Sequence, residues 1–113
     1  MTQITASMIT FDCSDVVPLA RWWAGMTGGT IAEDNEWFTV VSYEGAGPNL
    51  GFQKVPDPTP GKNRAHLDLH VEDRGAEVAR FLDGGATLVG HREEGGMSWT
   101  TLADPAGNQF CLA

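Results

Sequence analysis

The sequence predicts an α+β domain of two tandem βαβββ modules, which form a curved sheet around a shared cleft. Two segments, MITFDCSD at 8–15 and HLDLHVED at 66–73, alternate apolar and polar residues and end on Asp. Each is followed by a helical pattern and a Gly-Gly pair, and the Pro-rich PDPTPGKN separates the two copies. A chain of 113 residues has the usual size of one domain. We therefore expect a single domain 1–113, with module 1 at about 4–54, a linker at 55–63 and module 2 at about 64–113.

The first copy predicts four strands and one helix. Strand alternation places Ile9, Phe11 and Cys13 on one face and the residues between them on the other. Asp15 is the expected N-cap of a helix. TIAED and EWFTVVSYE predict two strands around a turn, and NLGFQKV predicts the last strand. The apolar stripe of the helix repeats at i, i+3, i+4 and i+7, and its members are Leu19, Trp22, Trp23 and Met26. Only one of the two adjacent tryptophans can point fully inward.

The second copy repeats this plan. Asp73 is the expected N-cap of its helix, and DPAGN at 104–108 predicts a hairpin turn before the last strand, NQFCLA. ATLVGH and MSWTTLA predict the two strands between the helix and that turn. The opening strand has an apolar side and a polar side, formed respectively by Leu67, Leu69 and Val71 and by His66, Asp68 and His70. The helix stripe is Val78, Phe81 and Leu82.

Composition restricts the classes of partner. The net charge of −8 argues against nucleic acid and anionic membrane surfaces, because both require clustered Lys and Arg. There is no basic-then-apolar leader pattern, and no apolar run approaches the 18 residues of a membrane span. We expect a soluble cytoplasmic protein whose two cysteines, Cys13 and Cys111, are reduced thiols. A homodimer is expected because pairing would cover sheet edges.

These residues resemble the vicinal oxygen chelate superfamily, the glyoxalase, bleomycin-resistance and dioxygenase fold. The resemblance runs from about Met8 to Ala113 and rests on the repeated strand-to-Asp opening, GGATLV, and the closing LADPAGNQFCL with its DPxGN turn. Gly-Phe-Gln within NLGFQKVPDPTP resembles the glyoxalase-like branch. The resemblance implies the two-module fold, while chemistry must be argued from the site itself.

The resemblance also implies four metal-ligand positions, which fall on Met8, Gly51, His66 and Cys111. Only His66 is a typical ligand of that set, since Gly51 has no side chain and Met8 is a poor ligand for a hard ion. A catalytic divalent site needs about three protein ligands. We therefore expect no metal and no other cofactor, and authentic glyoxalase I is disfavoured. A His66–Cys111 pair with one carboxylate is an irregular alternative that the sequence leaves open.

Nine residues are candidates for ligand binding on the polar strand faces and in the aromatic wall of the cleft. His66 and Asp68 are also the candidate catalytic pair, because an imidazole exchanges protons near neutral pH and a carboxylate can orient it. The alternative for each residue is a structural or solvated side chain, and for the tryptophans it is ordinary packing. The nine are Met8, Asp12, Trp37, Gly51, Gln53, His66, Asp68, Trp99 and Cys111.

Three functions compete. The resemblance favours a metal-free protein that binds a small aromatic or amphipathic molecule, for sequestration or resistance. The alternative is a lyase, isomerase or dioxygenase relative that uses His66 with Asp68 or an atypical metal. The third is an interaction module, whose sign would be a large exposed apolar patch.

Overall fold

The computed structural model describes residues 6–45, 47–61, 63 and 65–113. Two predictions refer to positions outside these ranges. They are the start of module 1 at about residue 4 and the start of module 2 at about residue 64. None of the helices in these ranges has both the length and the hydrophobicity of a membrane span.

The chain has the predicted α+β order, a βαβββ module repeated once. It divides into two compact units between Thr59 and Pro60, a point inside the Pro-rich linker. The first module contains β1 (Met8–Cys13), α1 (Val16–Thr27), β2 (Thr30–Glu33), β3 (Phe38–Ser42) and β4 (Asn49–Lys54). The second contains β5 (Leu67–Leu69), α2 (Arg74–Asp83), β6 (Thr87–Glu94), β7 (Met97–Ala103) and β8 (Gln109–Leu112).

The first sheet has the strand order β1-β4-β3-β2, with β1 parallel to β4 and the other pairs antiparallel. The ladder places Thr10 opposite Gly51 and Asp12 opposite Gln53. The predicted alternation along β1 is confirmed, because burial alternates residue by residue and reaches its maximum at Cys13. One face of this sheet therefore holds apolar residues and the other holds the candidate site residues.

The core of the first module lies between α1 and the apolar face of its sheet. Trp23 is fully buried, and its ring meets that of Phe11 edge-on with the centroids 5.5 Å apart. Phe11 in turn meets Phe52 edge-on at 5.3 Å, the arrangement that aromatic quadrupoles favour. Trp22 remains partly exposed. The prediction that only one of the adjacent tryptophans points inward is confirmed.

The two helices begin where the sequence predicts, but their N-caps differ. The side chain of Asp73 accepts a hydrogen bond from the backbone N–H of Ala76, as an N-cap should. Asp15 occupies the N-cap position in extended conformation, but its carboxylate caps no N–H of α1. The prediction was right for the position of Asp15 and wrong for the capping bond.

The second sheet has the order β5-β8-β7-β6, with β5 parallel to β8. Phe81 of α2 is buried and packs on Phe110 of β8, with the ring centroids 5.5 Å apart. Leu82 is 37% exposed and lies at the margin of the predicted stripe. The turn at 104–108 forms as predicted. Its buried Asp104 accepts hydrogen bonds from the backbone N–H groups of Ala106 and Asn108.

Candidate functional site

The first group of candidate residues lies on the face of the first sheet that points away from α1, which we call the helix-distal face. Phe11 packs against Trp23 of α1, so strand alternation turns Met8, Thr10 and Asp12 to the opposite side. Their ladder partners in β4 include Gly51 and Gln53. The structure thus brings together Met8, Asp12, Gly51 and Gln53, four of the nine candidates.

Gly51 is the centre of an apolar floor on this face. A Cβ atom at this position would lie 2.7 Å from Met8 Sδ, 2.9 Å from Phe38 Cζ and 3.0 Å from Thr10 Oγ1. Three neighbouring side chains therefore close over the backbone of Gly51, and a side chain there would displace them. Met8 is still 37% exposed, so apolar surface of the floor is accessible to solvent.

Polar groups border this floor. Asp12 and Gln53 are exposed and stand opposite each other on β1 and β4. Gln53 offers both an amide donor and an acceptor, whereas an ionised Asp12 accepts only. An apolar floor with a few polar groups beside it is the usual composition of a small-molecule site.

Trp37, another of the nine candidates, contacts Lys54. Its ring is 66% exposed and sits 5.2 Å from the ammonium of Lys54, a cation–π contact. Lys54 follows Gln53 in β4 and therefore leaves the strand on the opposite face. The structure places Trp37 beside Lys54, and not in the group formed by Met8, Gly51 and Gln53.

The second group is a polar cluster within the second module, formed by His66, Asp68 and Cys111 and called here the His66 cluster. His66 Nε2 lies 3.3 Å from Asp68 Oδ1. One donor atom from each of the three residues lies within 4.8 Å of those from the other two. The Cys111 residue is 6% exposed, whereas the side chains of His66 and Asp68 are 44% and 74% exposed.

Strand register explains this cluster. Asp68 and Cys111 are direct partners in the parallel ladder of β5 and β8. His66 precedes Asp68 by two residues, so both side chains leave the chain on the same side. His70 follows Asp68 by two residues along the chain, and it does not belong to the group of residues that could hold a metal ion.

Thr101 was missed by the sequence reasoning. It is the partner of Cys111 in the β7–β8 ladder, and its Oγ1 lies 3.4 Å from Cys111 Sγ. Trp99 is two residues away in β7 and shares this face, partly buried. The alternation within MSWTTLA could have paired Trp99 with Thr101, but only the register of β7 against β8 brings Thr101 to the thiol.

Comparison with known proteins supplies the family. The sequence model of the glyoxalase-like domain matches residues 8–113. This chain belongs to the glyoxalase-like domain family.

Solved structures share the fold of this glyoxalase-like domain at low sequence identity. A glyoxalase/bleomycin resistance protein/dioxygenase family enzyme from Burkholderia phytofirmans PsJN is 20% identical with a TM-score of 0.79, and 94% of each chain is covered. TnmS3, an antibiotic-binding protein from Streptomyces sp. CB03234, is 21% identical with a TM-score of 0.76, covering 99% of this chain and 96% of its own. No curated protein sequence matches the chain.

One further neighbour was solved with its ligand. The bleomycin-binding protein from bleomycin-producing Streptomyces verticillus, complexed with copper(II)-bleomycin, is 14% identical with a TM-score of 0.70. The alignment covers 100% of this chain and 98% of that one. At these identities, the likeness shows a common fold for the three neighbours and this domain.

The four metal positions implied by the superfamily do not fit a hard divalent ion in this glyoxalase-like domain. In the first module, Gly51 contributes no donor atom, and Met8 closes over it together with Phe38. Hard divalent ions require oxygen ligands, and a thioether is a soft one. Only His66 and Cys111 of the four offer a nitrogen donor or a potential thiolate.

Proposed function

We propose that this glyoxalase-like domain binds a small aromatic or amphipathic molecule, for sequestration or resistance, without the usual divalent metal site of its superfamily. The observation that carries the proposal is the floor over Gly51, where Met8 and Phe38 present apolar surface beside Asp12 and Gln53. Apolar contact would supply most of the affinity, and the polar groups would orient the ligand.

The comparisons support this choice of function. Two of the neighbours that share the fold are described as a bleomycin-binding protein and an antibiotic-binding protein. The chain carries a net charge of −8, and Asp12 adds a carboxylate beside the floor. A negative field attracts cations and repels anions. We therefore expect neutral or cationic ligands to bind better than anionic ones.

The test is binding of matched neutral, cationic and anionic aromatic compounds, measured by calorimetry and by tryptophan fluorescence. Gly51→Ala should weaken binding of any hit by about tenfold or more, because the new Cβ displaces Met8 and Phe38 from the floor. Gly90→Ala is the matched strand control, since a Cβ at Gly90 meets no described atom within 4 Å. Equal loss of affinity in the two variants would contradict this location of the site.

A second pair of variants separates loss of binding from loss of folding. Asp12→Asn and Gln53→Ala change exposed side chains and should leave circular dichroism spectra unchanged. Asp12→Asn should weaken cationic ligands selectively. If no compound in the panel binds to the folded wild-type protein, the proposal fails.

The second candidate function is an enzyme of the lyase, isomerase or dioxygenase type. The approach of His66 Nε2 to Asp68 Oδ1 at 3.3 Å favours it, because a carboxylate can hold an imidazole in position for proton transfer. His66→Ala and Asp68→Asn should then each abolish a measured turnover, whereas His70→Ala should not. Turnover that survives in His66→Ala would remove this residue from the mechanism.

We also propose that the protein is a cytoplasmic homodimer. Among the residues that the structure describes, β1 and β2 are the edges of the first sheet and β5 and β6 those of the second, and a second copy could pair with such an edge. Sedimentation equilibrium of the purified protein tests the assembly, and a monomer at all concentrations would refute it. Fractionation of expressing cells tests the location.

A further inference from the structure

We propose that His66, Asp68 and Cys111 bind a thiophilic divalent ion such as Zn²⁺ within the second module alone. This site differs from the four positions that the superfamily implies, because it replaces two of them with Asp68. From the sequence we expected no metal, and a His66–Cys111 pair with one carboxylate was the irregular alternative left open. The new inference takes up that alternative, with Asp68 as the carboxylate and a thiophilic ion, and it does not depend on the ligand floor.

The three donor atoms are close enough to share one ion. Ligand atoms of a tetrahedral Zn²⁺ ion lie about 3.5 Å apart, given bonds of about 2.0–2.3 Å. His66 Nε2 and Asp68 Oδ1 already stand 3.3 Å apart, and all three donors lie within 4.8 Å of one another. Small side-chain rotations of the exposed His66 and Asp68 would therefore complete the coordination, while the buried Cys111 stays in place.

The chemistry of the donors selects the ion. Cysteine binds a metal as its thiolate, so the Cys111 S–H gives up its proton to solvent when the metal–sulfur bond forms. A set of one thiolate, one imidazole and one carboxylate favours Zn²⁺, Cd²⁺ or Co²⁺ over Mg²⁺ or Ca²⁺, which take oxygen ligands. Three protein ligands leave the fourth tetrahedral position open to water or another small ligand.

The surroundings of the thiol support ligation. Thr101 Oγ1 lies 3.4 Å from Cys111 Sγ, where its hydroxyl can donate to the thiolate and orient it. Hydrogen bonds of this kind from outside the coordination sphere typically tune metal affinity by 10- to 100-fold. The exposed side chains of His66 and Asp68 give an ion a route from solvent to the buried sulfur.

The chain also contains a matched control for the thiol. Cys13 is the other cysteine of the chain and is buried like Cys111, and its Sγ lies 3.8 Å from the backbone oxygen of Gln53. Among the described residues, the only group of three or more potential metal donors that the structure brings together is the one around Cys111. A thiol-dependent signal should therefore require Cys111 and not Cys13.

The experiment is titration of the reduced full-length chain with Co²⁺ and then with competing Zn²⁺, without any organic ligand. We expect a near-ultraviolet thiolate-to-cobalt charge-transfer band that saturates near one ion per chain and disappears when Zn²⁺ is added. Mg²⁺ should not displace cobalt. Cys111→Ser should abolish the band and Cys13→Ser should preserve it. Asp68→Asn and His66→Gln should each weaken cobalt binding by about tenfold or more.

Three results would overturn the inference: no band at excess Co²⁺, a band that survives in Cys111→Ser, or an unchanged affinity in Asp68→Asn. Asp68 is exposed, so its variant should remain folded and keep the test valid if Cys111→Ser does not fold. Ligand binding measured in the presence of a chelator tests the small-molecule proposal separately. Failure of one proposal can thus be distinguished from failure of the other.

Discussion

The hydroxyl of Tyr43 is a titratable group held inside the first module. It forms a hydrogen bond with the hydroxyl of Thr27, which in turn donates to the backbone oxygen of Trp23. Burial raises the pKa of Tyr43 above 10.0, and the hydrogen bond with Thr27 offsets part of that rise. Because Tyr43 is the chain's single tyrosine, its ionisation can be followed by absorbance alone.

The raised pKa of Tyr43 predicts a loss of stability at alkaline pH. Between the unfolded value of about 10 and the higher folded value, the unfolded chain binds fewer protons than the folded one, so the free energy of unfolding falls as pH rises. The contribution is fully present below pH 10 and is lost as pH rises through the folded pKa. Urea denaturation at a series of pH values around and above 10 measures the effect.

Tyr43→Phe is the control, because it removes the ionisable group and keeps the ring. The variant should lose this part of the alkaline slope, whereas Thr27→Val should raise the pKa of Tyr43 further by removing its hydrogen-bond partner. A tyrosine absorbance titration centred at or below 10 in the folded protein would contradict the prediction.

Gly51 shows what a residue type alone can and cannot reveal. From the sequence, Gly51 was a metal position that had lost its side chain. The structure shows a positive role, because Met8, Phe38 and Thr10 occupy the space where a side chain would be. Nothing in the segment NLGFQKV identifies those neighbours, which come from two other strands. The alternation of Met8 and Asp12 on β1 was predictable, whereas the close approach of Phe38 required the β3–β4 register.

At the scale of single elements, one glycine within α1 and another at its C-cap have opposite conformational requirements. Gly25 is helical, and a Cβ there would meet no described atom within 4 Å. Gly28 ends the helix in the left-handed conformation with φ of 78°, and its N–H donates to the carbonyl oxygen of Ala24. Substitution by alanine should therefore stabilise the protein at Gly25 and destabilise it at Gly28.

We predict that Gly25→Ala raises the free energy of unfolding by about 0.5–1 kcal/mol, because alanine loses less backbone entropy in a helix. Gly28→Ala should lower it by about 1–2 kcal/mol, because its Cβ makes the left-handed conformation unfavourable. Urea denaturation followed by circular dichroism measures both. Changes of the same sign would contradict this account of the helix end.

The elements themselves were predictable wherever one face is buried. Alternation identified β1, and the i, i+3, i+4, i+7 spacing identified the stripe of α1, since Phe11 is half-buried and Trp23 is buried on the faces assigned to them. The prediction was weaker for β5, where the polar residues at 66, 68 and 70 suggested a longer strand. The strand comprises only Leu67–Leu69, although backbone hydrogen bonds of Leu69 and Val71 to Ala113 continue the pairing. His66 therefore immediately precedes the first residue of the strand, and its side chain lies on the same side as that of Asp68 and contacts it.

At the scale of the whole molecule, charge is the dominant feature. The chain has fifteen acidic and seven basic residues, and the resulting net charge of −8 opposes compaction of the chain. Salt shortens the range of this repulsion, because the Debye length falls from about 30 Å at 0.01 M to about 10 Å at 0.1 M. Exposed ion pairs such as Arg21–Asp34 are weakened by the same screening, but each contributes little.

We therefore predict that the melting temperature rises by a few degrees when NaCl increases from 0.01 M to 0.1 M. In a domain of this length, a change of about 1 kcal/mol in the free energy of unfolding shifts the melting temperature by about 4 °C. Scanning calorimetry measures the shift. Glu93→Lys at an exposed position of β6 should raise the melting temperature at low salt and reduce the response to NaCl. A melting temperature that falls with salt would show that attractive pairs dominate.

The parallel pairing that completes each sheet sets an order of events during synthesis. Met8 pairs opposite Asn49, and Leu67 pairs opposite Phe110, so the partners are 41 and 43 residues apart along the chain. Contacts between residues so far apart in the chain cost loop-closure entropy before they stabilise the folded module, and this cost slows folding. In each module the antiparallel strands after the helix can associate as they leave the ribosome. The opening strand has no partner until the last strand of its module has been translated, so both of its edges remain unpaired during that time.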